Sequence, residues 1–131
     1  MSRQNLSSMR KRLGELVRQR AACERIAMGT GPMVAASFLE RIMRPGQPGP
    51  YYYLSASVDG ESRHRYVPLA EAHIWRRRAE RWREFSHAMA RWVKLNREIE
   101  ALLRSMGRER CVPLPRASAR KSAQRRGRTK R

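Results

Sequence analysis

The side chains able to do chemistry in this chain are chiefly arginines. Arg116, Arg120, Lys121, Arg125, Arg126, Arg128, Lys130 and Arg131 crowd its C-terminal end. A guanidinium is a planar fork that donates two parallel hydrogen bonds to a phosphate. Each cation that neutralises a phosphate releases condensed counterions, so the contact is favourable and falls with salt. Small and polar residues separate the charges and let such a segment follow a groove or a phosphate backbone. A tail of this composition can instead serve solubility or targeting, but on a chain that is basic throughout, phosphate contact is the better reading.

Two further sets could meet phosphates. Arg76, Arg77 and Arg78, with Arg81 and Arg83 beyond them, form a cluster at the start of a long helical pattern. Glu71, Glu80 and Glu84 lie among them, so i,i+4 pairs are expected to neutralise part of the cluster. Arg63 and Arg65 flank His64 on one short strand, opposite tyrosines and serines. A two-stranded ribbon fits the major groove and exposed tyrosines stack on bases. The competing reading is that at least two of Tyr51, Tyr53 and Tyr66 pack the sheet onto the helices, and this is the expectation carried forward.

Catalysis and metal binding find little support. Cys23 and Cys111 lie far apart and neither belongs to a CxxC pair; a zinc site needs about four ligands at short spacings. His73 and His87 stand about four helical turns apart. Gly29-Thr30-Gly31 lacks the lysine and the spacing of a phosphate loop. No nucleophile–base–acid order or inward pair of carboxylates can be assembled. The expectation is a protein that is not an enzyme, with no cofactor and no metal.

The elements that must position these arginines follow from periodicity. From Ser7 to Met28, Leu6, Met9, Leu13, Leu16, Cys23 and Ala27 recur at steps of three and four, an apolar stripe broken by Arg20. Ser7 or Ser8 is the expected cap, and Gly29 to Pro32 ends the helix. Met33 to Met43 is short and apolar and reads as a strand, followed by a turn-rich connector over 45–50. Tyr51 to Val58 and Glu61 to Val67 flank Asp59-Gly60, a strong short-range hairpin signal. A two-residue turn sets Ala56 opposite Arg63, Leu54 opposite Arg65 and Tyr52 opposite Val67. Trp75, Ala79, Trp82, Ser86, Met89, Val93 and Asn96, widened by Phe85, Trp92, Ile99, Leu102, Leu103 and Met106, predict one long helix over 69–106 stopped by Gly107. Its length calls for a helical partner, either the first helix or a second copy. The three tryptophans lie along the stripe and are expected in the core or an interface.

The fold class is therefore α+β: an N-terminal helix, a small antiparallel hairpin or three-stranded sheet, a long C-terminal helix, and a basic tail over 108–131. The tail carries ten basic residues and one acidic and no large apolar side chain beyond Leu114, so disorder is expected for it in isolation. Residues 1–107 form the single domain, its helices antiparallel and joined by the sheet at one end. The 131 residues hold 30 Lys and Arg against 11 Asp and Glu, a formal net charge of +19, which opposes compaction unless a polyanion supplies counter-charge. No apolar run approaches the roughly 20 residues of a membrane span, and the first twenty residues lack a secretory apolar core, so a cytoplasmic setting is expected. The expected partner is nucleic acid, DNA before RNA, with a homodimer or a larger nucleoprotein complex as the assembly.

Residues 36–96 and the two that follow carry Phe38-Leu39-Glu40-Arg41, Gly49-Pro50-Tyr51-Tyr52-Tyr53-Leu54-Ser55, Val58-Asp59-Gly60, Arg65-Tyr66-Val67-Pro68 and Leu95-Asn96-Arg97-Glu98. In this the chain resembles a bacterial family of short proteins of unknown function often met near mobile elements. The resemblance implies the helix–hairpin–helix layout but no activity. The family's knuckle, Cys-Gly-Lys-Pro-x-Cys-x-Cys, has no counterpart: Met43 to Gly49 contains no cysteine, so no metal function carries over. In layout alone, a hairpin followed by a helix also resembles the arm-binding domains of phage-type integrases, in which a small sheet reads DNA.

Overall fold

The structure, a computed structural model, describes residues 5–42, 45–46 and 49–117. Helix α1 spans Leu6–Ala27, strands β1, β2 and β3 span Ser37–Arg41, Tyr51–Val58 and Glu61–Val67, and a 3-10 turn at Leu69–Glu71 leads into helix α2, Ala72–Arg110. The fold is α+β: an N-terminal helix, a three-stranded antiparallel sheet and a long C-terminal helix.

The two helices pack along a heptad. Met9, Leu16 and Cys23 are the buried residues of α1, each seven positions from the next. Leu16 and Cys23 meet Ala88, Leu95 and Ile99 of α2, with Leu13, Trp92 and Leu102 packed around them. Steps of three and four along α2 and sevens along α1 are the pattern of a coiled-coil seam. The arrangement is antiparallel: Asn5 and Leu6 at the start of α1 lie beside Glu109 to Pro113 at the end of α2, and polar cross-links join the helices between. The Gln19 Oε1 accepts from Arg91 at 2.9 Å, the Asn96 Oδ1 accepts from Arg20 at 3.0 Å, and the Glu24 carboxylate accepts from the Trp92 indole at 3.0 Å. Arg20, the break in the α1 stripe, is thus half-buried against Asn96, a polar residue on the facing stripe.

The sheet is a meander in the order β1-β2-β3. Asp59 and Gly60 both have positive φ, 52° and 81°, the requirement of the tight turn whose twist matches a hairpin. The β2–β3 register is the expected one, with Tyr52 opposite Val67, Leu54 opposite Arg65 and Ala56 opposite Arg63. On β1, Phe38 stands opposite Leu54 and Leu39 opposite Tyr53. Side chains alternate between faces, so Phe38, Tyr52, Leu54 and Val67 share one face. That face packs on the first turns of α2, through Ala72, Trp75 and Ala79, with Val34 and Ala36 from the preceding loop. Between the two clusters, Trp82 and Phe85 stack at 5.8 Å on α2.

Strand β1 ends at Arg41, short of the expected Met43, and four other boundaries differ from expectation for a local reason. The cap of α1 is Asn5, not Ser7 or Ser8: its side chain accepts the Ser7 N–H at 3.0 Å, the second helical position that a capping oxygen reaches. Strand β1 begins at Ser37 rather than Met33, because Val34 donates its N–H to the Arg78 carbonyl of α2 at 3.1 Å and is held off the ladder. Leu69 to Glu71 form the 3-10 turn after Pro68, so α2 starts at Ala72. At its other end α2 runs through Gly107 to Arg110. A mid-helix glycine costs only about 1 kcal/mol; the helix stops at Cys111, which is extended, two residues before Pro113, whose ring disfavours helix in the residue preceding it.

Candidate nucleic-acid interface

Arg63 and Arg65 sit on β3, an edge strand, and both are exposed. Their parity is that of Val67, so they leave the sheet on the side that faces α2. Arg76 lies on the same side: its guanidinium stands 4.9 Å from the Phe38 ring centre and 5.7 Å from that of Tyr52. Phe38 and Tyr52 are themselves stacked at 5.4 Å, so Arg76 caps an aromatic pair that belongs to the core face. Arg78 rests over the Trp75 ring at 4.7 Å. Arg77 is exposed. Arg76 and Arg83 line the helix wall of an open groove of about 740 Å³ between β1, β2 and α2, with Glu80 and His87 on the same wall.

The expected neutralisation of this cluster is absent. Among the described residues the ion pairs are Arg12–Glu15, Arg20–Glu24 and Arg104–Glu100. None of Glu71, Glu80 and Glu84 pairs with the cluster, and Glu71 instead accepts the Trp75 indole N–H at 3.1 Å. Rings rather than carboxylates hold Arg76 and Arg78. A stacked guanidinium keeps its N–H edge free for an anion, so the stacking orients the charge without cancelling it. Arg81 is occupied elsewhere. It donates to the Pro32 carbonyl at 3.4 Å and lies so close over Gly31 that a Cβ there would meet its Nε at 2.6 Å.

Of the tail contacts, Arg116 is not brought to this cluster by α2. Arg116 is exposed in the extended segment after α2, and the helix between Arg77 and Arg110 is about 50 Å long at 1.5 Å per residue. Arg120, Lys121, Arg125, Arg126, Arg128, Lys130 and Arg131 lie outside the described residues. The sequence-predicted sites among the described residues therefore fall into a group at the sheet end of the rod and Arg116 beyond its far end.

The tyrosines depart from the reading carried forward. Tyr52 packs inward, whereas Tyr51, Tyr53 and Tyr66 stand on the opposite face, away from α2. Tyr51 and Tyr66 pair at 6.2 Å and Tyr53 pairs with His64 at 5.3 Å. Arg41 shares this face, a residue that sequence reasoning did not single out. The signal was the parity of Leu54 and Val67, the large aliphatic residues of the hairpin with a matching register. Once that row is inward, the odd-numbered tyrosines of β2 must point out.

Cys23 is buried between the helices and Cys111 is exposed, each with a free thiol. Among the described residues there is no group of three or more His, Cys, Asp or Glu placed to hold a metal ion, and no helix is long and apolar enough to cross a membrane. Comparison with protein-family models, with curated proteins and with solved structures finds no match.

Proposed function

We propose that the chain is a non-catalytic nucleic-acid-binding protein, with DNA before RNA as its ligand, acting as an accessory factor to a mobile element or a larger nucleoprotein. The observation that supports this most is the arginine cluster at the start of α2, held on aromatic rings and left unpaired by its neighbouring glutamates, in a chain of net charge +19. The folded part carries Arg63, Arg65, Arg76, Arg77 and Arg78 as phosphate contacts. The C-terminal segment adds Arg116 and the seven cations from Arg120 to Arg131.

Binding to labelled duplex DNA and to structured RNA across a salt series tests this. The full chain and a chain ending at Arg110, the last residue of α2, are compared. Tight binding with a steep negative salt slope supports the reading, and its loss in the shorter chain assigns the main contact to the last residues. Retained binding assigns it to the sheet end. No binding by either chain near physiological salt overturns the proposal.

One observation favours a second reading, a protein-interaction module. The helical hairpin leaves Val17, Ile26, Val93 and Leu103 exposed, apolar surface that a second copy or another helix would cover. Size exclusion with light scattering separates a dimer from a monomer.

A further inference from the structure

We infer that the open face of the sheet is a binding surface for unpaired nucleotides, whose bases stack on Tyr51, Tyr53 and Tyr66; this rests on the nucleic-acid reading above and names the strand state it takes. The face is aromatic where a soluble sheet's outer face is ordinarily polar. Tyr66 is 62% exposed and Leu39, on the far side of Tyr53, 38%. Arg41, Tyr53, His64 and Tyr66 line a shallow depression of about 420 Å³. The rings meet at tilts of 54° and 37° rather than lying flat on each other, so their faces are not used up internally.

Charge on the sheet is divided in the same sense. Both carboxylates of the sheet strands, Glu40 and Glu61, have the parity of Phe38 and Val67 and belong to the helix-facing side, with Arg63 and Arg65. The open face carries Arg41 and His64 and no carboxylate, which suits an anionic partner and not an acidic-patch-seeking cationic one. Tyr51 and Tyr53 are two residues apart on one strand, about 6.6 Å. That is about twice the 3.4 Å rise of stacked bases in one strand of a duplex. A strand that places one base on each ring must have those bases unstacked from each other, which a duplex does not offer. Aromatic side chains on a sheet with a cation at the margin are a sequence-tolerant platform for single strands.

The test uses the full chain, an unstructured oligothymidylate and a duplex of matched length, with Tyr66→Ser and Tyr66→Phe. Tyr66→Ser is expected to weaken oligothymidylate binding roughly five- to 150-fold, the usual worth of a base stacked on an aromatic ring. Duplex affinity and the salt slope stay as in the parent, because no charge is removed, and Tyr66→Phe binds as the parent does. If the parent binds and Tyr66→Ser leaves the oligothymidylate untouched, or weakens both ligands alike, the inference is overturned while the nucleic-acid reading stands. If the parent binds neither ligand, both fall. Photocrosslinking with a 5-iodouracil-substituted oligonucleotide decides independently of any variant's folding. Adducts on Tyr51, Tyr53 or Tyr66 support the inference, and adducts confined to other residues overturn it.

Discussion

The two ends of α2 use the same residue types in opposite ways. Along the helical hairpin, polar groups are consumed within the protein. All three ion pairs among the described residues lie there, and Arg20, Arg91 and Trp92 each donate across to or from the partner helix. At the sheet end, Arg76 and Arg78 lie on rings and the glutamates do not reach them. The hairpin end is organised by mutual satisfaction, the sheet end by stacking that leaves donors outward. Stability and binding should therefore separate along the rod.

The largest expected effect is on the hairpin. Leu16 is 2% exposed at the centre of the helix–helix cluster. Leu16→Ala should cost about 2–5 kcal/mol in urea or thermal unfolding, from lost transfer energy and the cavity left behind. A 131-residue chain with a core this thin has a total stability of only about 5–15 kcal/mol. If Leu16→Ala unfolds as the parent does, the hairpin is not where the fold is held.

The sheet end should respond in binding rather than stability. Arg77 is exposed and stacks on no ring, so Arg77→Gln should reduce the salt slope of nucleic-acid binding by about one phosphate contact and shift unfolding by less than about 0.5 kcal/mol. Arg76→Gln removes both a phosphate donor and its stacking over Phe38 and Tyr52. It should therefore lower the slope similarly and also cost about 0.5–1 kcal/mol of stability. Equal behaviour of the two variants in unfolding would show that the ring contact of Arg76 contributes nothing, and would weaken the contrast between the ends.

The polar pair inside the hairpin gives a smaller effect. Asn96→Ala leaves the half-buried Arg20 guanidinium without its 3.0 Å acceptor, at about 1 kcal/mol. In a double-mutant cycle with Arg20→Ala the two changes should cost less together than the sum of the singles, because each removes the same bond. Additive costs would mean that Arg20 is held by Glu24 alone, which lies 4.0 Å from it.

Much of this was legible from sequence, and the parts that were not share a cause. The Asp59-Gly60 turn needs positive φ at two successive residues, few dipeptides supply it, and so the hairpin register followed residue by residue. The apolar stripe that holds Met9, Leu16 and Cys23 and its break at Arg20 were equally plain. The partner of Arg20 was not, since Asn96 lies 76 positions away and only the antiparallel pairing brings it near. The start of β1 and the fate of Arg81 were hidden for the same reason: both depend on the loop over residues 28–36 lying against α2. The outward tyrosines were decidable from the parity of Leu54 and Val67, but aromatic residues are ordinarily read as core, and that habit outweighed the alternation. The cap at Asn5 was within one turn of the expected serines, the usual scatter of helix ends.

The smallest effect sharpens the contrast without perturbing either end. Cys111 is exposed just past α2, its Sγ 3.4 Å from the Gly107 carbonyl oxygen, whereas Cys23 is buried in the seam against α2. A thiol reagent should label one cysteine quickly in the native chain and the second only on unfolding. The rate at the second site then reports opening of the hairpin. In Leu16→Ala that rate should rise, and in Arg77→Gln and Tyr66→Ser it should not, because those side chains lie outside the seam. Salt-dependent nucleic-acid binding at the sheet end should leave the Cys23 rate almost unchanged if the two ends are energetically independent. Strong protection of Cys23 on binding would instead mean that the ligand reaches the hairpin or that α2 transmits its effect along the rod.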